Sequence, residues 1–326
     1  MIEAVSQLAS QPDLSVVLVS YNTAHLLQRL FAALDRAKGN LNLQIIAVDN
    51  ASTDNSVEIL ERQYPAVTLI KNSKNVGFGR ANNQAIAHVK GRHTLLLNTD
   101  AFLASDSLEK TVSFMEEHPR CGVLGVKLVN EDGQLQPSCR YFPTPWNVFL
   151  QKTGLSRFFP ASRLIDDLNW DHASVRRCDW VPGCFYLMRG NVLEQLGLFD
   201  PRFFLYYEEI DHCRSVKTAG WEVIYYPYTE VVHIGGESAK SGSTISDVGR
   251  QISPLQIESE LLYFRKYYGL SGVIAGVVLS ISADLLSALN SLLRRFDLKG
   301  VNGAVRHTST VMRIFGATGF AAHPTR

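Results

Sequence analysis

The chain has 326 residues, a formal net charge of +1 and 46% hydrophobic residues. This length fits one large domain, or one domain with an appendage. The near-neutral charge argues against the broad positive field of a nucleic-acid-binding protein. The five cysteines are odd in number and include no Cys-x-x-Cys pair, which argues against a disulfide framework or a structural zinc site and fits a reducing compartment. Residues 1–13 lack a basic segment followed by a long apolar one, so we expect no secretory signal.

Apolar runs alternate with helical patterns through the first 130 residues. Continuous β-branched and apolar residues predict buried strands over Leu14–Ser20, Leu43–Val48, Val67–Ile70 and Thr94–Leu97. Asn55 and Glu58 have the spacing of a capping box and predict a helix between the second and third strands. Strands that alternate with helices predict a parallel α/β sheet with right-handed crossovers.

Polar residues follow three of these strands at the point where each strand ends. Tyr21-Asn22 follows the first strand, Asp49–Ser52 the second and Asn98–Asp100 the fourth. Ligands of open α/β sheets bind at the carboxyl ends of strands. A carboxylate such as Asp100 beside an apolar core needs a partner, and a divalent cation that carries a diphosphate is one. The alternative is a helix cap, because Ser105-Asp106 starts a helix soon afterwards.

Two familiar phosphate-binding sequences are missing from the chain. No Gly-x-Gly-x-x-Gly follows the first strand and no Walker A sequence occurs, so neither a dinucleotide fingerprint nor a P-loop is supported. Asn75–Arg80 does place two glycines before a helix. This segment is either a plain turn into the helix or a backbone cradle near a diphosphate.

The pattern changes from about residue 137. Gln136–Trp170 is rich in proline, aromatic residues and arginine, which predicts a long irregular excursion with short helices, of the kind that forms lids or substrate-binding walls. A strand is predicted over Phe185–Arg189. Further on, the aromatic-rich Phe199–Tyr207 leads directly into three carboxylates within Glu208–Asp211, an unusual composition for a solvated helix face.

Seven short motifs occur in order between residues 14 and 240. They are Val19–Asn22, Val48–Asp54, Asn75–Asn83, Asn98–Asp100, Pro182–Cys184, Glu208–Asp211 and His233–Ser238. In this order they resemble the family 2 glycosyltransferases of the GT-A fold, especially the rhamnosyltransferase-like branch. The resemblance implies a Rossmann-like, mostly parallel central sheet flanked by helices, with an acceptor-side subregion and a C-terminal helical extension.

The expected organisation has five parts. They are an N-terminal extension over 1–13, a nucleotide-sugar-binding α/β half over 14–130, an acceptor-binding and catalytic half over 131–245, a C-terminal helical region over 246–314 and a disordered tail over 315–326.

The resemblance implies a nucleotide-sugar site on the first half. Asp49 would hydrogen-bond the base of the donor, with Tyr21 and Asn22 packing around it. The residues implied to bind the nucleotide sugar are Ser20, Tyr21, Asn22, Asp49, Asn50, Ser52, Asn75, Gly77, Phe78, Arg80, Asn82, Asn98 and Thr99.

The resemblance also implies a divalent cation, Mg²⁺ or Mn²⁺. Asp100 would bind it in the family's Asp-x-Asp position, and His233 lies where the family can place a further metal or diphosphate contact. Asn98 stands where the family has the first Asp, and a neutral amide lowers the ligand charge that tunes metal affinity. The alternative for His233 is a loop histidine at a strand end.

An inverting transfer needs a base for the acceptor hydroxyl, a stabilised leaving group and reactants held in line. The second carboxylate of the family's Glu-Asp-x-Asp pattern is the usual base, and Glu209 stands at that position in place of Asp. Its extra methylene moves the carboxylate by about 1.5 Å. Glu208 and Asp211 are the alternative catalytic carboxylates, and Asp211 could instead hold the acceptor wall or pair with Arg214.

The acceptor side is expected to include Trp180, Gly183 and Cys184. Gly183 would permit close backbone approach, whereas Trp180 either stacks on a sugar or fills the core. Cys184 reads as a packed residue, since no base is evident beside it. Gly235–Ser243 has the composition of a mobile loop, either a lid whose Ser238 or Lys240 touches donor phosphates or a plain linker.

The C-terminal region contains a long apolar segment. Ile257–Tyr268 and Leu270–Leu293 both read as helices, and the second is long enough to span a bilayer, although Asp284 argues against a lipid-facing span. Basic residues that follow, through Lys299, suit an anionic membrane surface. We favour a helix that lies in the membrane interface over 270–299; the alternatives are a packed or homo-oligomer-forming helix and a true span.

The sequence therefore predicts a metal-dependent inverting glycosyltransferase with a dTDP- or UDP-sugar donor, best dTDP-rhamnose. The expected acceptor is a saccharide or a polyprenyl-linked saccharide, in surface polysaccharide or cell-wall synthesis. The expected location is cytoplasmic, at the inner face of a bacterial membrane, with no nucleic-acid partner. The alternatives are a catalytically impaired nucleotide- or carbohydrate-binding module, favoured by Asn98 and Glu209, and a nucleotidyltransferase.

Overall fold

The computed structural model describes residues 11–235, 254–295 and 297–326. The chain forms two compact units. Of the described residues, the first unit comprises 11–140, 168–200 and 209–235, and the second comprises 141–167, 201–208, 254–295 and 297–326. Both predicted halves, 14–130 and 131–245, contribute strands to the first unit.

The first unit begins with alternating strands and helices, as predicted. The elements are β1 (Leu14–Ser20), α1 (Ala24–Ala37), β2 (Leu43–Asp49), α2 (Ser56–Gln63), β3 (Thr68–Lys71), α3 (Phe78–Ala85) and β4 (His93–Asn98). Every residue of β1 is buried, as expected for a parallel strand covered on both faces. The predicted capping box has a different cap: Asp54 Oδ1 accepts hydrogen bonds from the Ser56 N–H (3.0 Å) and hydroxyl (2.6 Å).

The chain then continues through shorter strands and further helices. These elements are β5 (Ala101–Leu103), α4 (Ser107–Glu117), β6 (Cys121–Val129), β7 (Leu135–Gln136), α5 (Pro145–Thr153), β8 (Arg176–Arg177), β9 (Phe185–Arg189), α6 (Gly190–Leu196), α7 (Glu208–Thr218) and β10 (Glu222–His233). Helix α5 confirms the short helix expected in the excursion over Gln136–Trp170, and it belongs to the second unit.

All ten strands of the described chain join one mixed sheet in the first unit. The strand order is β3-β2-β1-β4-β9-β6-β10-β5, with β7 added to β6 and β8 to β10. Strands β3, β2, β1 and β4 are parallel, and β9 runs antiparallel between β4 and β6. The main core lies between this sheet and its helices, where α1 buries Leu26, Leu27, Leu30 and Leu34 at helical spacing.

The second unit is mainly helical. Helix α8 (Pro254–Arg295) is interrupted at Gly269, whose backbone is non-helical at φ 64°, and α9 (Leu298–Ala317) follows it. Asp284 of α8 bonds α9, accepting from the Thr308 hydroxyl at 2.6 Å and contacting His307 Nδ1 at 2.8 Å. The Asp284 carboxylate, which argued against a lipid-facing span, is thus satisfied inside this helical pair.

The tail predicted to be disordered over 315–326 makes defined contacts instead. Helix α9 continues to Ala317. The Thr325 N–H donates to Glu258 Oε1 at 2.7 Å, and the Thr325 hydroxyl donates to Glu258 Oε2 at 2.6 Å. A buried carboxylate on α8 therefore anchors the tail, a contact between distant residues that composition could not reveal.

Candidate active site

The carboxyl ends of three neighbouring parallel strands carry the polar segments singled out from the sequence. In the strand register Ser20 pairs with Asp49, and Val19 pairs with Asn98. We call the segments Ser20–Asn22, Asp49–Ser52 and Asn98–Asp100 the polar edge. The sheet thus brings together residues that the sequence places up to 80 positions apart.

Asp49 is a buried carboxylate with one oxygen engaged and one available. Its side chain is 2% exposed, and Oδ2 accepts a hydrogen bond from the Ser52 N–H at 3.0 Å. Oδ1 is enclosed and has no hydrogen-bond partner among the described residues. A buried acceptor left in this state is costly, so it is suited to an N–H donor from a ligand.

The loops that follow β1 and β2 are tied to each other. The Asn22 N–H donates to Ser52 Oγ at 2.9 Å, and Asn22 Oδ1 accepts from the Thr53 N–H at 2.7 Å. Asn22 and Ala51 both have left-handed backbones, with φ of 55° and 67°. Such conformations persist where surrounding contacts fix them, and here they bring both strand ends into one rigid surface. Tyr21 lies half-buried in the same loop.

The glycine-containing segment before α3 is built on asparagine side chains. Asn50 Nδ2 donates to Asn75 Oδ1 at 2.8 Å, and that oxygen also accepts the Gly77 N–H at 2.9 Å. Asn50 Oδ1 accepts the Val76 N–H at 3.0 Å. Gly77 has φ 91°, which only glycine adopts readily. Asn50 and Asn75 therefore shape the loop through their side chains, so this segment presents backbone to a ligand.

The resemblance also implied that Asn82, Ser20, Thr99 and Arg80 bind the nucleotide sugar. Asn82 Nδ2 donates to the Phe78 carbonyl at 2.9 Å, within α3. Ser20 Oγ lies 3.2 Å from Thr23 Oγ1, and Thr99 is buried. Arg80 is half-buried on the same helix. The Ser20 and Asn82 side chains support the polar edge through contacts within the protein.

Asp100 and His233 lie side by side although 132 residues separate them. Strands β5 and β10 pair with Ala101 opposite His233, and the Ile234 N–H donates to the Asp100 carbonyl at 3.1 Å. His233 Nε2 lies 3.6 Å from Asp100 Oδ1. Asp100 is 4% exposed. Burial lowers the pKa of His233, and the Asp100 charge opposes this in part, which favours the neutral imidazole that can bind a cation.

Gln136 fixes the orientation of the His233 ring. Its Nε2 donates to the His233 carbonyl at 2.8 Å, which leaves Oε1 as acceptor for His233 Nδ1 at 3.0 Å. Nδ1 must then carry the proton, and Nε2 turns a lone pair toward Asp100. This is the arrangement of metal-binding histidines, whose second nitrogen donates to a neighbouring group. The role of Gln136 could not be predicted from the sequence, because the contact spans 97 positions.

These donors fit a divalent cation that takes its remaining ligands from a substrate. No group of three or more His, Cys, Asp and Glu side chains suited to a metal occurs in residues 11–235, 254–295 and 297–326. Asn98 Oδ1 is buried without a hydrogen-bond partner in the same ranges. One carboxylate with a neutral partner is the donor set of a cation held partly by phosphates, and not of a closed structural site.

The carboxylates of α7 differ in accessibility. Glu208 and Asp211 are each 3% exposed, whereas Glu209 is only partly buried. Glu209 Oε2 is nevertheless enclosed and has no hydrogen-bond partner in the described part of the chain. Burial raises the pKa of Glu209, while backbone N–H groups at the helix start and the positive charge of Arg140 lower it in part. Of the three, Glu209 alone combines partial exposure with an unengaged oxygen and a raised pKa.

Gly183 lies between Glu209 and Phe78, the first residue of α3. A Cβ at this position would be 3.7 Å from Phe78 Cε1 and 3.8 Å from Glu209 Cβ, ordinary contact distances. Packing therefore does not require glycine here, and its missing side chain leaves room beside the Glu209 side chain. Phe78, from the predicted half over 14–130, therefore lies close to Gly183 and Glu209 of the predicted half over 131–245.

Arg140 is a site residue that sequence reasoning missed. The Arg140 guanidinium lies 4.8 Å from the Trp180 ring centroid, and the Arg140 backbone N–H donates to the Trp180 carbonyl at 3.2 Å. Trp180 is buried beneath it, an arrangement that favours packing over sugar stacking. Cys184 is also buried, and burial raises the pKa of its thiol, so it is a packed and inert residue. Ser238 and Lys240 of the expected lid lie outside the described residues.

Comparison with known proteins agrees with this geometry. Residues 15–168 match the model of glycosyl transferase family 2. Over 233 residues the chain is 28% identical to N-acetylglucosaminyl-diphospho-decaprenol L-rhamnosyltransferase of Mycobacterium tuberculosis, which covers 68% of this chain and 75% of that protein. The family match spans slightly less than half of the chain, and with this relative it supports a glycosyltransferase similar to family 2. The chain is also 26% identical over 176 residues to rhamnosyltransferase WbbL of Escherichia coli K12, which covers 51% of this chain and 63% of that one.

The fold of this glycosyltransferase has a counterpart among solved structures. Mannosyltransferase PcManGT from Pyrobaculum calidifontis, in complex with GDP-Man and Mn²⁺, superposes with a TM-score of 0.52 at 16% identity. The match covers 98% of this chain and 90% of that chain. The predicted GT-A class, a largely parallel sheet flanked by helices with C-terminal helices, is confirmed.

Proposed function

We propose that this glycosyltransferase moves a sugar from a nucleotide sugar, best rhamnose from dTDP-rhamnose, to a saccharide or lipid-linked saccharide acceptor with inversion. The place of the reaction is surface polysaccharide or cell-wall synthesis. The observation that carries the proposal is that Asp49 ends β2 and Asp100 follows β4, the two strands that flank β1 in one sheet, while the charges of Asp100 and Glu209 both act on the buried Cys184 thiol. The rhamnosyltransferase names of two relatives support the donor, and the diphospho-decaprenol acceptor in one of those names supports the lipid-linked acceptor.

Asp49 is the proposed contact to the base. Its unengaged Oδ1 can accept a hydrogen bond from the imide N–H that thymine and uracil share. Because both pyrimidines carry this group, the contact accommodates dTDP- and UDP-sugars alike. The rigid Asn22 and Ser52 loops on either side would hold the base in place.

Asp100 and His233 are the proposed protein ligands of Mg²⁺ or Mn²⁺, with Asn98 as a weaker neutral partner. A divalent cation would supply charge stabilisation for the leaving diphosphate. The chain's own part is to direct the His233 lone pair toward the Asp100 carboxylate through Gln136. Phosphate oxygens of the donor would supply further ligands, which is the usual pattern for Mg²⁺ with nucleotides.

Glu209 is the proposed general base. As the acceptor oxygen forms its bond to the anomeric carbon, the bond from that carbon to the diphosphate oxygen breaks, and the acceptor proton passes to Glu209. Burial holds the pKa of Glu209 above its ordinary value, which strengthens it as a base, and Arg140 limits that rise so that the ionised form remains available. Trp180 and Gly183 would border the acceptor.

We also propose that the second unit rests on an anionic membrane surface, at the cytoplasmic face where a lipid-linked acceptor is presented. Among the described residues, one helix, Pro254–Leu293, is long and apolar enough to cross a membrane.

Helix α9 carries two rows of exposed side chains at seven-residue spacing. One row is apolar (Leu298, Val305, Met312) and the other is basic (Lys299, Arg306, Arg313).

The charge composition of the C-terminal region favours a position at the membrane interface. From Leu270 onward the chain has six Lys and Arg against two Asp. Both acids are engaged, Asp284 by Thr308 and Asp297 by the Lys299 N–H at the start of α9. An apolar row beside an unopposed basic row is the pattern of a helix lying on anionic lipid.

Vesicle flotation tests the membrane proposal. The protein should float with phosphatidylglycerol vesicles and less with phosphatidylcholine vesicles. Reversal of Lys299, Arg306 and Arg313 to Glu should abolish flotation, whereas the same reversal at exposed Arg36, Lys38 and Arg62 should not. Self-association of the wild-type protein without flotation would instead support the homo-oligomer alternative and refute a membrane surface.

A donor panel tests the proposed reaction. Purified protein with dTDP-rhamnose and Mn²⁺ should release dTDP slowly and faster with a polyprenyl-diphosphate saccharide. Nucleotide sugars that bind should raise the melting temperature in proportion to affinity. Stabilisation by nucleotides without any release would indicate a binding module, and no stabilisation by any nucleotide sugar would contradict the proposal.

A further inference from the structure

The chain reaches the carboxylate helix α7 through two strained residues. Tyr206 and Tyr207 have φ of 68° and 70°, both in the left-handed region. Residues other than glycine rarely adopt this region, and two in succession are rarer. Conformations of this kind persist only where neighbouring contacts fix them, and they concentrate at functional sites. The next two residues are Glu208 and Glu209.

Two consecutive residues of α8 supply these fixing contacts. The Tyr207 hydroxyl donates to Glu260 Oε2 at 2.8 Å, and the Ser259 hydroxyl donates to the Leu205 carbonyl at 2.8 Å. Tyr207 is buried, and its ring centroid lies 5.3 Å from that of Tyr263, one turn further along α8. We call Leu205, Tyr207, Ser259 and Glu260 the clasp.

The residue before the clasp on α8 holds the tail. Glu258 accepts both hydrogen bonds from Thr325, and the Arg326 guanidinium lies 5.4 Å from the Phe204 ring centroid. Residues 258–260 therefore bind the tail and the approach to α7 on adjacent positions of one helix. All these contacts lie within the second unit, so the geometry of the approach is set there.

We propose that the clasp positions the Glu209 carboxylate, with Tyr207 and Glu260 as positioning residues that act through the backbone. This rests on the proposed role of Glu209 as base. A peptide forced into the left-handed region two residues before Glu209 sets the direction in which α7 starts, and with it the aim of its first side chains. Loss of the Tyr207 to Glu260 bond lets the approach relax to an ordinary conformation and turns Glu209 away from the acceptor.

The obvious rival is a clasp that serves stability alone, and three variants separate the two roles. Tyr207→Phe and Glu260→Ala each remove the hydrogen bond. Glu260→Gln keeps an acceptor oxygen for the Tyr207 hydroxyl and is the conservative control. If the clasp served stability alone, Tyr207→Phe and Glu260→Ala would reduce the amount of folded protein. Each folded molecule would then keep the wild-type turnover.

The test compares turnover, donor binding and amide exchange. In Tyr207→Phe and Glu260→Ala, kcat per folded molecule should fall by between about 10- and 100-fold, as expected when a reacting group is misplaced. The dissociation constant of dTDP should stay at the wild-type value, because Asp49 and Asp100 are untouched. Hydrogen exchange of the amides over 205–211 should rise in both variants and not in Glu260→Gln, which should also keep its kcat.

Two results would overturn the proposal. One is wild-type kcat per folded molecule in both disrupting variants, and the other is unchanged amide exchange over 205–211. The exchange measurement needs no activity, so it distinguishes a failed clasp from a failed assignment of function: a wild-type protein without turnover refutes the reaction, whatever the exchange shows.

Discussion

Asp49 and Glu209 are both enclosed carboxylates with one unengaged oxygen, yet different parts of the chain hold them. Asp49 ends a strand, and the adjacent Ser52 N–H binds its other oxygen, so its placement is local. Glu209 is the second residue of α7, and Glu260 holds the residues that lead into this helix. The Arg140 charge acts on the ionisation of Glu209. The donor contact is thus built into the sheet, whereas the proposed base depends on contacts between distant segments. Variants that act on one without the other test this contrast.

The largest expected effect is that of Glu209→Gln. Loss of a general base should lower kcat by between about 100- and 10,000-fold, while nucleotide affinity stays intact because Asp49 is untouched. Single-turnover transfer and dTDP titration measure the two quantities. Glu208→Gln is the matched control and should retain most of its activity; transfer by Glu209→Gln at the wild-type rate would show that the base lies elsewhere.

Asp100→Ala should weaken metal binding and leave the proposed base, Glu209, unaffected. In Mn²⁺ the affinity for dTDP should fall at least about 10-fold, since loss of even a supporting contact causes changes of this size. In EDTA the variant and the wild-type protein should bind alike. Isothermal titration with and without Mn²⁺ measures this. Asp106→Ala, which removes an exposed carboxylate at the start of α4, should leave the metal dependence unchanged; equal dependence in Asp100→Ala would refute the ligand role.

The same contrast explains what the sequence could predict. Asp49 and Asp100 stand directly after apolar strands, and parallel strands meet at one edge, so pattern alone locates them. Gln136, Arg140 and Glu260 leave no such signal, because each matters through a partner far along the chain. Trp180 remained ambiguous because stacking and packing residues look alike in a sequence. Only the structure shows that it lies under Arg140.

The sequence pattern also predicted the wrong helix cap where two nearby side chains could each cap the same helix. Asn55 with Glu58 has the spacing of a capping box, but Asp54 takes the position by binding Ser56 twice. An ionised carboxylate is the stronger acceptor for a helix N-terminus. The helix itself was predicted correctly, because its start needs a cap and the pattern supplies several.

The smallest expected effect, and the one most specific to the contrast, is a pH shift in Arg140→Gln. Burial raises the pKa of Glu209 and the Arg140 charge lowers it, so removal of that charge should raise the pKa further. A base must be ionised to act, so activity is lost as pH falls through that pKa. The acid limb of kcat/KM should therefore move to higher pH, with the rate loss greatest at low pH and smallest at high pH.

Arg140→Lys keeps the charge and should leave the acid limb of kcat/KM in place. A uniform rate loss at every pH in Arg140→Gln would mean that Arg140 only packs on Trp180. An unchanged acid limb combined with loss of acceptor affinity would instead make Arg140 a binding residue. The direction in which the acid limb of kcat/KM moves thus decides whether Arg140 tunes the pKa of Glu209, which lies 69 positions further along the chain.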